Sequence, residues 1–103
     1  MNRFDIDLLD DENPFEVDVQ VAHLFKHAHL GLDDIFDVWA NAPLFYPARP
    51  PAEWLMVSAV GATVIVVPLA SASSGASTQC RPIGCYVASH WLAATYWRDR
   101  REF

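Results

Sequence analysis

The chain predicts an α+β fold: a strand, two helices, a mostly antiparallel sheet and a closing C-terminal helix. Three observations carry this. Apolar alternation at Phe15, Val17 and Val19 gives way to three- and four-residue spacing from Val21 to Trp39. Two β-branched runs flank Gly61-Ala62, and an aromatic helical pattern closes the chain. A length of 103 residues leaves room for one domain, and 52% hydrophobic content with thirteen aromatics supplies its core.

Residues 1–14 read as an acidic flexible tail ending at Asn13-Pro14, and 15–103 as a single domain. Within that tail Phe4, Ile6 and Leu8 alternate, a pattern open to a short edge strand. Phe15, Val17 and Val19, interleaved with Glu16, Asp18 and Gln20, predict a strand with one buried face. From Val21 the spacing turns helical, with Val21, Leu24, Phe25 and Ala28 inward, and Gly31 breaks it. A second helix is expected over 32–40 with Leu32, Ile35, Phe36 and Trp39 inward, and Asn41 and Pro43 stop it. Asp33 and Asp34 fall in its first turn, where free amide groups favour carboxylates.

A short strand over 44–46 runs into the rigid segment Pro47-Ala48-Arg49-Pro50-Pro51. Trp54 to Val60 and Thr63 to Leu69 then form a hairpin turning at Gly61-Ala62. Pro68 has no amide hydrogen to donate, so it belongs at a strand end or a bulge. The stretch from Trp54 to Ala72 carries no charge, but Gly61, Pro68 and the β-branched content favour a buried hairpin over a membrane span. Ser71 to Gln79 reads as a connection, and Cys80 to Val87 as the last strand. A final helix starts near Ala88 or Ser89 and turns Trp91, Leu92, Thr95 and Tyr96 inward, with Arg98, Arg100 and Arg101 near its C-terminal end.

The net charge is −6, which argues against wrapping nucleic acid by charge alone. Its distribution is uneven, because eleven of thirteen acidic residues precede Trp54 while Arg81, Arg98, Arg100 and Arg101 lie in the last quarter. Cys80 and Cys85 are too few for a disulfide framework and read as free thiols, which suits a cytoplasmic setting. The acidic N-terminus lacks the apolar run of a signal peptide.

Metal-independent RNA cleavage needs a proton acceptor, cations for the developing phosphate charge and a proton donor. The inventory for those roles is Lys26, His27 and His29 after the first helical pattern, Arg49 in the proline loop, Arg81 on the last strand and His90 at the start of the last helix. Each has a plainer reading, as a surface or capping group or, for Arg81, as the partner of an acidic residue across the sheet. His23 and His27 are four apart, as metal ligands can be, but Lys26 repels a cation and no third ligand is marked. No metal or other cofactor is expected.

Several segments resemble the BrnT family, toxins of type II toxin–antitoxin pairs with a RelE-like fold. Leu24-Phe25-Lys26-His27-Ala28 is similar to the family's Leu-x-Lys-His-Gly, and Leu32 to Trp39 resembles its acidic second helix. Arg81-Pro82-Ile83-Gly84-Cys85-Tyr86-Val87-Ala88 resembles its closing Arg-x-Ile-Ser-Ala-Arg-x-Ala segment, and Tyr96 falls where the last helix carries a tyrosine. The resemblance implies a ribonuclease toxin that pairs with a small DNA-binding antitoxin. Lys26, His27 and Arg81 would contact the scissile phosphate, Tyr86 or His90 would assist proton transfer, and Arg49 and Arg98 would bind RNA.

Departures from the pattern bear on activity. Tyr86 stands at the second arginine of the closing motif, Leu92 and Ala93 replace a Glu-Arg pair, and the chain is acidic where the toxins are usually basic. A phenol offers no cationic fork, a loss on the order of 3 kcal/mol of transition-state stabilisation. Three functions follow as expectations: a weak ribonuclease of toxin type, a catalytically degenerate relative that acts as a protein-binding or regulatory domain, or a small structural or regulatory domain in which the resemblance marks ancestry alone. The partners expected are an antitoxin-like protein, RNA or a second copy of the chain, and no membrane.

Overall fold

The computed structural model describes residues 3–26 and 28–101. It has the expected α+β class, with three helices and a five-stranded, mostly antiparallel sheet. In chain order the elements are α1 (Val19–Lys26), α2 (Leu32–Ala40), β1 (Leu44–Pro47), β2 (Trp54–Val60), β3 (Thr63–Ser71), β4 (Cys80–Pro82), β5 (Tyr86–Val87) and α3 (His90–Arg101). Strands β1 to β4 lie side by side in sequence order, and β5 continues along the same side of β3 as β4.

The hairpin forms as expected, with Val60 opposite Thr63 and Gly61 at φ 63°, a backbone region that a two-residue turn requires. Its register puts Met56 opposite Val67 and Val57 opposite Val66, so alternate residues face opposite sides of the sheet. Under α1 and α2, Met56, Ile65, Val67, Leu69 and Cys80 pack with Val21, Phe25, Ile35 and Val38. On the other side Val57, Val64 and Val66 pack with Tyr96 of α3.

The strand expected over Phe15 to Gln20 reduces to one parallel bridge between Phe15 and Cys80. The reason is Asp18, whose carboxylate accepts the Val21 amide at 2.9 Å while its carbonyl accepts the Ala22 amide, so the helix begins at Val19. Val19 is therefore 85% exposed, and Leu24 also faces solvent. The second helix has the expected bounds. Asp34 accepts the Gly31 amide at 2.7 Å at its start, and the buried Ser58 hydroxyl donates to the Asn41 carbonyl at 2.8 Å beyond its end. Val38 and Ile35 fill its inward face, whereas Phe36 is turned outward.

The last strand is interrupted. Between the pairs Leu69–Pro82 and Val66–Tyr86, β3 has two residues and the facing chain has three, which is the count of a bulge. Pro68 lies at this break, where its carbonyl accepts the Ile83 amide at 3.0 Å and no donor is missed. Cys80 on β4 and Cys85 within the interruption are free thiols; burial pushes Cys80 up to about 12 and Cys85 up to about 11.

The segment expected as a loose tail lies against the globule. Leu9 is buried, Phe4 and Ile6 pack on the larger core, and Ile6–Leu8 form a 3₁₀ turn in place of an edge strand. Glu53 accepts the amides of Phe4 at 2.8 Å and Ser71 at 2.9 Å, while the Trp54 indole donates to the Phe4 carbonyl at 2.9 Å. Among the described residues, no helix is long and apolar enough to cross a membrane.

Candidate functional site

Arg81 projects from β4 opposite Ala70, and its guanidinium is held by carboxylates. It donates to Glu16 at 2.9 Å, to Asp18 at 2.7 Å and to Gln20 at 3.3 Å. Glu16 also accepts the amides of Ser73 at 2.8 Å and Ser74 at 3.1 Å, so the cluster ties β4, the start of α1 and the serine-rich loop together. Those two amides, followed by Arg81, hold the Glu16 carboxyl down at about 2. Asp18 is lowered chiefly by Arg81 and then by the Val21 amide. Two carboxylates against one guanidinium leave a negative local balance, and a phosphate would have to displace them.

Lys26 ends α1 and is exposed. Eight residues separate it from Asp18, roughly 12 Å along the helix axis. His27 lies outside the described residues. Tyr86 is 45% exposed and stands opposite Val66, which puts it on the α3 side of the sheet. Arg81 shares that side four residues along β3, roughly 13 Å away. His90 begins α3 and is exposed, near Tyr86 in the chain. Arg49 is exposed in the proline loop, and Arg98 is exposed on α3 with its neighbour Asp99 at 3.2 Å. Tyr86 and His90 thus share one end of the molecule, while Arg81 and Lys26 occupy two other places.

Two surface clefts lie on the α1–α2 side. One of about 430 Å³ is lined by Phe15, Val17 and Phe36 together with Glu16 and Asp18. Another of about 400 Å³ runs past Lys26, Gly31, Asp33 and Asp34. Among the described residues no three His, Cys, Asp or Glu side chains are grouped to hold a metal ion.

The face of α3 differs from the expected one. Ser89 caps the helix by accepting the Leu92 amide at 3.2 Å, and its inward stripe is Leu92, Ala93 and Tyr96. At about 100° per residue this leaves Trp91, Ala94, Trp97, Arg98 and Arg101 on the outer half of the helix, and all five are exposed. Trp91, expected inward, is 81% exposed because Leu92 and Tyr96, one turn apart, take the sheet-facing positions. The spacing of 91, 94, 98 and 101 carries this face in the sequence once the inward tyrosine is known. Near the C-terminal end of α3 the Tyr46 hydroxyl donates to Asp99 at 2.8 Å. Burial, then the Asp99 carboxylate, raises the Tyr46 phenol above its ordinary value.

The chain matches no protein-family profile, no curated protein and no solved structure.

Proposed function

We propose that this chain is a protein-binding domain of toxin-like ancestry, the catalytically degenerate alternative among the expected functions, and that it binds through the outer face of α3. The observation that carries the reading is the exposed set Trp91, Trp97, Arg98 and Arg101 on one helix. Tryptophan and arginine are enriched among binding hot spots, because a large apolar ring or a planar cation gains when a partner excludes water from it. A tryptophan four-fifths exposed has no role in this core. Two free thiols fit a cytoplasmic setting for the same domain.

RNA cleavage is less well supported. It calls for Lys26, Arg81 and a proton carrier around one phosphate, and Arg81 is already engaged by Glu16 and Asp18. The test is co-purification from the native host, comparing wild type with Trp91→Glu/Arg98→Glu. A partner is expected with wild type and lost with the variant, at unchanged thermal unfolding. RNA incubated with wild type is expected to stay intact; cleavage that disappears in Arg81→Ala would restore the nuclease reading.

A further inference from the structure

We propose that the α3 face takes a second copy of this chain, and that its Trp-Arg surface seats on the acidic, phenylalanine-centred face of the partner copy's α2. The proposal rests on the α3 face being the binding surface, and it names what that surface binds.

The receiving face is built from α2 and the segment before α1. Asp33, Phe36, Asp37 and Ala40 are all exposed, which puts them on the outer side of α2. Phe36 is 43% and Val17 42% exposed, and both line the cleft of about 430 Å³. Phe15 supports Phe36 from below, with ring centroids 5.5 Å apart. The acidic segment runs alongside, since the Trp39 indole donates to the Asp11 carbonyl at 3.1 Å. Among the described residues neither Asp33 nor Asp37 has an ion-pair partner.

Charge complementarity selects the occupant. Residues 4–25 carry seven carboxylates and no lysine or arginine, and α2 adds three aspartates. The opposite sign is concentrated on α3, which bears Arg98, Arg100 and Arg101. The spacings also correspond. Asp33 and Asp37 are one turn apart on α2, Arg98 and Arg101 about one turn apart on α3, so two ion pairs can form across one helix pair. Trp97, next to Arg98, can then cover Phe36, replacing two exposed apolar surfaces with one aromatic contact.

Because the giving and receiving faces are different surfaces, each copy can give one contact and take one, and the assembly is a closed pair, a ring or, where the rotation does not close, an open chain. A contact of one helix pair is smaller than the roughly 1,200 Å² of stable interfaces, so association is weak, concentration-dependent and reduced by salt.

The experiment is sedimentation velocity on the whole chain from about 10 µM to 1 mM, at low salt and at about 0.5 M salt. Wild type is expected to associate with concentration at low salt and to revert to monomer at high salt. Arg98→Glu/Arg101→Glu and Asp33→Lys/Asp37→Lys are each expected to stay monomeric. Mixing the two variants is expected to restore assembly, since each then offers what the other lacks. These exposed positions let circular dichroism confirm that each variant is folded. A wild type monomeric throughout overturns the proposal, as does an equimolar mixture of variants that fails to assemble. A monomeric wild type that still loses its host partner on Trp91→Glu/Arg98→Glu removes only this inference and leaves the protein-binding reading intact.

Discussion

Beneath α1 and α2 the sheet packs Met56, Ile65, Val67 and Leu69 against four buried helical side chains, Val21, Phe25, Ile35 and Val38. Beneath α3 it offers Val57, Val64 and Val66 to one, Tyr96. The N-terminal segment thickens the first side further through Leu9 and Phe15, whereas the second is supplemented by half-buried Leu44, Tyr46 and Leu92. One side specifies the fold, and the other holds a helix by a narrow stripe while leaving its broad outer face in water. A surface free to bind is found where packing demands least of the sequence.

That contrast can be broken by truncating each side in turn. Ile35→Ala removes a fully buried side chain from the thicker side and is expected to lower stability by about 4 kcal/mol, with all strands losing amide protection together. Tyr96→Ala removes more atoms, but α3 can detach locally, so its global cost is expected near 2 kcal/mol. Hydrogen exchange separates the two: with Tyr96→Ala, amides of residues 90–101 should exchange while those of β2 and β3 remain protected. Equal loss of protection in the strands for both variants would show that the sides do not differ.

A middle-sized effect belongs to the Arg81 cluster, which ties β4 at the sheet edge to the start of α1 and the serine-rich loop. The Glu16 carboxyl lies below its ordinary value of 4.5, at about 2. A depressed carboxyl contributes stability above the unfolded value and loses it as pH falls through the folded one. The urea midpoint of wild type should therefore drop between pH 4.5 and about 2, and Glu16→Gln should make that drop shallower. An unchanged acid limb in the variant would mean that the cluster is ornamental to stability.

Periodicity made the hairpin, the second helix and the fold class legible, because apolar spacing and a two-residue turn are local signals. The start of α1 was hidden by its own cap: Asp18 fits the polar positions of the alternation that Val17 and Val19 extend, while its carboxylate and carbonyl start the helix. Trp91 misled for a different reason. Apolarity predicts burial on average, yet the inward phase of α3 is set by where Leu92 and Tyr96 meet Val64 and Val66 across the chain. In the sequence the candidate site is an inventory of cations and histidines, and an inventory has no geometry. Glu16 and Asp18 were visible as surface positions of a strand, while their capture of Arg81 depends on the parallel approach of Phe15 to Cys80.

The smallest effect sharpens the comparison at the end of α3. The Tyr46 hydroxyl on β1 bonds Asp99, so the last turn of the helix is fastened by polar contact where apolar contact is thin. Burial and the neighbouring carboxylate raise the Tyr46 phenol above its ordinary value of 10.0. A raised group contributes its stability fully below the unfolded value and loses it as pH rises through the folded one. Tyr46→Phe is thus expected to increase amide exchange in residues 97–101 at neutral pH, by less than Tyr96→Ala does, and to leave β2 and β3 unchanged. Above pH 10.0 wild type should converge on the variant as the unfolded chain gains by ionising. If Tyr46→Phe left the helix end as protected as before, its last turn would be held by Tyr96, its apolar neighbours and the Arg100 bond to the Ala42 carbonyl, and the Tyr46 hydroxyl would add nothing to the thin side.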